Sequence, residues 1–216
     1  MTDAAPAVPA VSAVPADPPS DATAPPLVIL RGNSASGKST VARRVQRALP
    51  RGRVAVIGQD HLRRELLWEH DTANGDTAGL ILATARHCLG IGRITVVEGI
   101  FGSERYGDMF AEMLAHHTGR SLVYYLDVSL EETLRRHAGK TIGGEVPDNE
   151  VASWYRKHDV LGAEGEQVLG EELSEDEMVQ QLLTDLDVLT DLDQPTDLDQ
   201  PTDLDQPKDL DQREAR

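Results

Sequence analysis

Residues 30–40 read LRGNSASGKST, and within them Gly32-Asn33-Ser34-Ala35-Ser36-Gly37-Lys38-Ser39 fits the pattern G-x-x-x-x-G-K-[ST] without a mismatch. An apolar run, LVIL at 27–30, comes before the pattern, and a helix-like run, VARRVQRAL at 41–49, comes after it. That order aims successive backbone N–H groups and the start of a helix at one point, which is how a chain holds a phosphate. Gly32, Asn33, Ser34, Ala35, Ser36, Gly37, Lys38, Ser39 and Thr40 are the candidate nucleotide-binding residues. Lys38 would reach the β and γ phosphates as a point charge, and Ser39 would place its hydroxyl on Mg²⁺. The loop alone leaves open whether the γ-phosphate goes to water or to an acceptor molecule.

Further apolar runs follow, VAVI at 54–57, ITVV at 94–97 and LVYYL at 122–126, and they alternate with helical patterns. Such alternation reads as βαβ units around a parallel sheet. The patterns predict strands near 27–31, 53–57, 94–97, 121–126 and 166–169. They predict helices over about 38–49, 60–69, 76–90, 105–117, 130–138, 149–158 and 174–189. The last helix opens with Ser174 and Glu177 in capping-box spacing, and its apolar residues Met178, Leu182, Leu186 and Leu189 recur at helical intervals.

Three stretches bear on an acceptor. The second strand runs into VIGQDHLRREL, so Asp60 falls at a strand's carboxyl end, where α/β folds put ligands. A carboxylate there could take a proton from an attacking hydroxyl; the alternative is that Asp60 only caps the next helix. Arg63 and Arg64, within one helical turn, could clamp an anionic group or steady the moving phosphoryl. The third strand, ITVVEGIF, ends in Glu98, placed to hold Mg²⁺ or to orient the acceptor, and Gly99 would let a ligand approach the backbone. Beyond the fourth strand, Arg135 and Arg136 end a helix, AGKTIGG interrupts, and a second helix would carry Arg156 and Lys157. Basic residues on a helix-loop-helix suit a closing lid that excludes water and neutralises triphosphate charge.

With these pieces together, the chain resembles the P-loop small-molecule kinases of the nucleoside and nucleotide kinase-like group. Its arrangement is similar to the branch that holds chloramphenicol phosphotransferase, adenylylsulfate kinase and zeta-toxin-like kinases, over about Leu27 to Leu189. The resemblance implies a three-layer α/β sandwich with a five-stranded parallel sheet, ATP with Mg²⁺, and an arginine-bearing lid. By position it makes Lys38, Asp60 and Arg136 the catalytic residues and Arg135 a nucleotide contact. Asp60, Arg63, Arg64 and Glu98 become acceptor contacts, and Ser39 and Glu98 metal ligands. GQDHLRR departs from the patterns of both adenylylsulfate kinases and zeta toxins, so the acceptor is not borrowed from either.

The remaining features read more plainly. Trp68 could stack on an aromatic acceptor, with core packing the expected role. Cys88, the single cysteine, lies in an apolar helical run and reads as packing, while the seven histidines show no metal-ligand spacing. Of the formal charge of −16, residues 1–26 contribute −3 and residues 184–216 contribute −8, leaving a mildly acidic middle. That balance argues against a nucleic-acid backbone as partner. No stretch approaches the ~18 apolar residues of a membrane span, and with no secretory pattern the reading is cytoplasmic.

Residues 1–26 hold seven of the twelve prolines and read as a disordered arm. Residues 190–216 repeat TDLDQP, with proline breaking any helix or sheet. The repeat reads as a solvated acidic tail, a calcium-binding repeat being the alternative, and residues 27–189 form the expected kinase domain. The function expected is transfer of the ATP γ-phosphate to a small molecule. The alternatives are a nucleotide-dependent switch whose tail recruits a protein, and a toxin kinase acting on a sugar nucleotide.

Overall fold

In the computed structural model, residues 24–72, 75–139 and 147–187 are described. The expected arm at its proline-rich part, the acidic tail and the centre of the AGKTIGG loop lie outside those residues. Five strands, β1 (Leu27–Gly32), β2 (Val54–Gly58), β3 (Ile94–Gly99), β4 (Ser121–Asp127) and β5 (Gln167–Gly170), form one sheet in the order β2-β3-β1-β4-β5. Every pairing is parallel, so the carboxyl ends of all five strands meet at one edge.

The helices are α1 (Lys38–Ala48), α2 (Thr77–Gly90), α3 (Ser103–His116), α4 (Leu130–Ala138), α5 (Asp148–Trp154) and α6 (Glu175–Asp185). Alternate residues of each strand serve opposite faces, as the period of two requires. Val28 and Leu30 of β1 join Val41, Ala42 and Val45 of α1 and Met178, Leu182 and Leu186 at α6 in one buried cluster. Leu27 and Ile29 face the other way, against Ile81 and Ala85 of α2 and Met109, Phe110 and Met113 of α3. Helices therefore cover both faces, giving the three-layer sandwich expected from the apolar runs. Ser174 caps α6 in a complete capping box with Glu177. Half-buried Cys88 packs against the second cluster.

Several expectations need correction. In place of a helix over 60–69, residues His61–Leu66 form a π-helical turn. Wider i→i+5 turns of this kind are rare and recur at functional sites. Trp68 is not core: it is 89% exposed and sits at a left-handed φ of 53°. The helix predicted over 149–158 ends at Trp154, where Tyr155 turns extended, so Arg156 and Lys157 lie beyond it. The guanidinium of Arg156 turns back to the carbonyls of Ser153 and Tyr155. α6 stops at Asp185, four residues short of the expected end.

One cation is buried inside this architecture. Arg31, the fifth residue of β1, has no solvent exposure, and its guanidinium donates to the Phe101 carbonyl and to Asp159 at 2.9 Å. Glu166 lies 3.6 Å away, and the Tyr125 ring faces the guanidinium carbon at 5.7 Å. Burial pushes the Arg31 proton affinity down, and the Asp159 and Glu166 carboxylates offset it. Asp159 also accepts from the Ser103 backbone N–H at 2.9 Å, at the start of α3. Removing one partner of a buried pair strands the other charge, at a cost of about 3–5 kcal/mol. Asp159→Ala is therefore expected to lower unfolding free energy by about 3 kcal/mol in chemical denaturation, far beyond the effect of a surface Asp→Ala change.

Candidate active site

The loop between β1 and α1 takes the conformation its glycines allow. Gly32 lies at φ 148°, and a Cβ there would sit 2.6 Å from the Leu126 carbonyl oxygen, so no larger residue fits. Gly37, at φ 100°, precedes α1 without a side-chain cap, and the first turn of the helix contains no acid. The positive end of the α1 dipole is left for an external anion. Ala35 holds a left-handed φ of 56° without being glycine, which costs roughly 1–2 kcal/mol. Lys38 is buried, and its ammonium donates to the Asn33 carbonyl at 2.7 Å and to the Ser36 hydroxyl at 3.1 Å, curling over the loop.

Ser39 and Glu98, 59 residues apart in sequence, come together here. The Ser39 hydroxyl lies 3.0 Å from each Glu98 carboxylate oxygen. Gly58, paired in register with Glu98, makes room for it: a Cβ on Gly58 would lie 3.0 Å from Oε1. Burial pushes the Glu98 carboxyl above its ordinary range; the Lys38 charge and the Ser39 hydrogen bond oppose that shift, and the nearby Asp60 charge adds to it. Asp60 is thus an electrostatic neighbour of Glu98 at the end of β2. It precedes the π-helical turn, but its side chain makes no capping bond. It accepts instead from Arg63 at 2.9 Å. Half-buried Arg63 leaves its Nε buried without a partner among the described residues, and Arg64 is exposed.

Gly99 has a different role from the one expected. What approaches it is the Gln59 side chain, whose Cβ would lie 2.6 Å from an added Cβ. Buried Gln59 then donates to the Tyr106 hydroxyl at 2.9 Å, and that hydroxyl donates to Asp71 at 2.7 Å. This chain of bonds holds the β2 corner that carries Asp60. Arg135 and Arg136 both bind Glu132 one turn earlier on α4, drawing its carboxyl down to about 2. The structure brings Lys38, Ser39, Glu98, Asp60 and Arg63 into one neighbourhood, and it shows Arg135 and Arg136 engaged on their own helix.

Sequence reasoning missed Gly58, Gln59 and Arg31. A signal was present for the last: an arginine closing an otherwise apolar central strand needs a buried carboxylate partner. A hydroxyl and a carboxylate form a hard-oxygen donor pair that fits Mg²⁺, which takes few protein ligands and keeps the rest of its shell for phosphate and water. No cluster of three or more His, Cys, Asp or Glu that could bind a metal occurs among the described residues.

A family model described as an AAA domain matches residues 27–161, well over half of the chain, and the chain belongs to that family. Solved structures share the fold. The APS kinase of Mycobacterium tuberculosis, in complex with AMPPNP and APS, aligns at a TM-score of 0.58 and 22% identity over 76% of this chain and 98% of that one. A sugar kinase from Janibacter aligns at 0.58 and 17% identity, covering 79% and 99% of the two chains. A gluconokinase from Sinorhizobium meliloti gives 0.53 and 18% over 79% and 96%. At these identities the likeness establishes a shared fold, the three-layer α/β sandwich with a five-stranded parallel sheet. No curated protein matches the sequence. No helix among the described residues is long and apolar enough to cross a membrane.

The sign of the Glu98 effect is testable. A carboxyl raised by burial contributes stability while protonated, below its unfolded value near 4.5, and that contribution is lost as pH rises through the folded value. Glu98→Gln keeps the Ser39 hydrogen bond and removes the buried charge. It is expected to raise the thermal midpoint at pH 7 by a few degrees, with the gain shrinking as pH falls through the raised folded value and absent below about pH 4.5, while Mg²⁺-dependent nucleotide affinity falls. Melting curves across pH read both limbs.

Proposed function

We propose that this protein is an ATP-dependent phosphotransferase that moves the γ-phosphate to a hydroxyl or phosphate of a small molecule. The observation that carries the reading is the meeting of two carboxylates from neighbouring strand ends, Glu98 and Asp60, beside the lysine and serine of the phosphate loop. A second carboxylate with an arginine beside it suits the orientation of an acceptor hydroxyl. The kinase folds that resemble the chain support the same class, and the AMPPNP held by one of them supports ATP as donor.

In this mechanism the loop N–H groups and Lys38 hold the β and γ phosphates and balance charge that spreads over the transferring group. Ser39 and Glu98 would hold Mg²⁺, which supplies further neutralisation of the triphosphate. Asp60 accepts the proton of the acceptor hydroxyl and orients it in line. Arg63 steadies Asp60 and supplies a cation on the acceptor side for an anionic group. Arg135 and Arg136 would exchange Glu132 for the triphosphate when α4 and α5 close as a lid. We assign the protein to the branch with adenylylsulfate and antibiotic-phosphorylating kinases, acting in the cytoplasm, and leave its acceptor to experiment.

The test is ADP release from Mg-ATP with a panel of nucleosides, nucleotides, sugars and hydroxylated antibiotics, using Lys38→Ala as the blank. Acceptor-stimulated turnover that falls by about 10²–10³ in the blank is the expected result. Slow, acceptor-independent hydrolysis alone would point instead to a nucleotide switch. With the acceptor in hand, Asp60→Asn is expected to lower kcat by about 10²–10⁴ and leave ATP affinity as in wild type. Wild-type kcat in that variant would remove Asp60 from the mechanism.

A further inference from the structure

The phosphate loop is bonded to a stretch of chain 123 residues away in sequence. The Asn33 side-chain amide donates to the Arg156 carbonyl at 2.7 Å, and its oxygen accepts the Arg156 backbone N–H at 2.8 Å. Only one orientation of the amide satisfies both, so the assignment of N and O follows from the partners. Asn33 is 3% exposed, and the Tyr125 hydroxyl completes the cluster, 3.2 Å from the amide nitrogen and 3.1 Å from the same carbonyl.

The residues that follow Arg156 are held as firmly. His158 pairs with Asp127 at 2.8 Å, at the end of β4, and Asp159 pairs with buried Arg31. Residues 155–159 are therefore stapled across the carboxyl ends of β1 and β4. On its other side, the Asn33 backbone carbonyl accepts the Lys38 ammonium. Asn33 thus stands between that segment and the lysine that would meet the triphosphate. A solvent-exposed loop residue could not play this part, because water would replace both bonds at little cost.

We propose that Asn33 is a positioning residue of the phosphate site, whose amide locks Tyr155–Asp159 onto the loop, so that nucleotide binding and order in that segment are linked. The proposal rests on the nucleotide-binding reading above. Linkage is reciprocal: if the clamp shapes the loop for nucleotide, nucleotide must in turn tighten the clamped segment. A residue that only contributed to folding stability would give no such nucleotide dependence.

The experiment uses the full chain, Mg²⁺ and AMPPNP, and reads both affinity and amide hydrogen exchange. In wild type the nucleotide is expected to slow exchange across 155–159. Asn33→Ala is expected to abolish that protection and to weaken AMPPNP binding about tenfold, which corresponds to about 1.4 kcal/mol. A second pair of variants leaves Asn33 in place. Arg156→Pro removes the clamped N–H at a site where Tyr155, at ψ 132°, accepts a following proline, whereas Arg156→Ala keeps it. The proline variant should bind AMPPNP more weakly than the alanine variant by a similar factor. Wild-type affinity in Asn33→Ala, nucleotide-induced protection at 155–159 without the amide, or equal affinity in Arg156→Pro and Arg156→Ala would each overturn the clamp. Wild-type protein that binds no AMPPNP would overturn the phosphotransferase reading, and the linkage with it.

Discussion

Leu30 of β1 stands opposite Glu98 of β3, Gly58 of β2 stands opposite the same glutamate, and Gly32 stands opposite Leu126 of β4. This parallel register is the constraint on which the site depends. The central strands β1, β3 and β4 are buried on both faces, so a slip by one residue would exchange the two sets of apolar side chains and drive Arg31 out of its carboxylate pocket. With the register held, the phosphate loop, Asp60, Glu98 and Asp127 all collect at one edge of the sheet. Chemistry is concentrated there because parallel strands all end on the same side.

That edge accepts local costs that the rest of the sandwich absorbs. Glu98 is kept where burial disfavours its charge. Ala35 and Trp68 occupy left-handed backbone that side chains rarely adopt. The α1 N-terminus has no cap. Each of these is unfavourable for folding, and the uncapped start of α1 leaves backbone N–H groups unpaired by any side chain. The two apolar clusters, with Leu and Val side chains worth about 1.5–3 kcal/mol each on burial, supply the stability that tolerates them.

Much of the architecture was legible because the signals are local. An apolar run between turn residues must become a buried strand, and all five expected strands formed within a residue or two of their predicted limits. The errors came where a distant partner overrode a local preference. The pattern over 149–158 continues as a helix on paper, but the Asn33 amide takes the N–H and C=O of Arg156, and the chain leaves the helix to meet it. Gly99 suggested access for a ligand and instead accommodates Gln59. Trp68 carries a side chain that usually seeks the core, yet its backbone conformation leaves it in solvent.

The sequence by itself determined that a glycine-rich loop of phosphate-binding pattern lies between a buried strand and a helix, that the sheet is parallel, and that acids and arginines follow the strand ends. Those properties reside in residue type and short spacing, which the chain carries whether folded or not. Tertiary structure decided which of those groups meet. Ser39 joins Glu98 across 59 residues, Arg31 reaches the Phe101 carbonyl across 70, and Asn33 clamps Arg156 across 123. Pairings of that range depend on strand order and register, and no local periodicity encodes them.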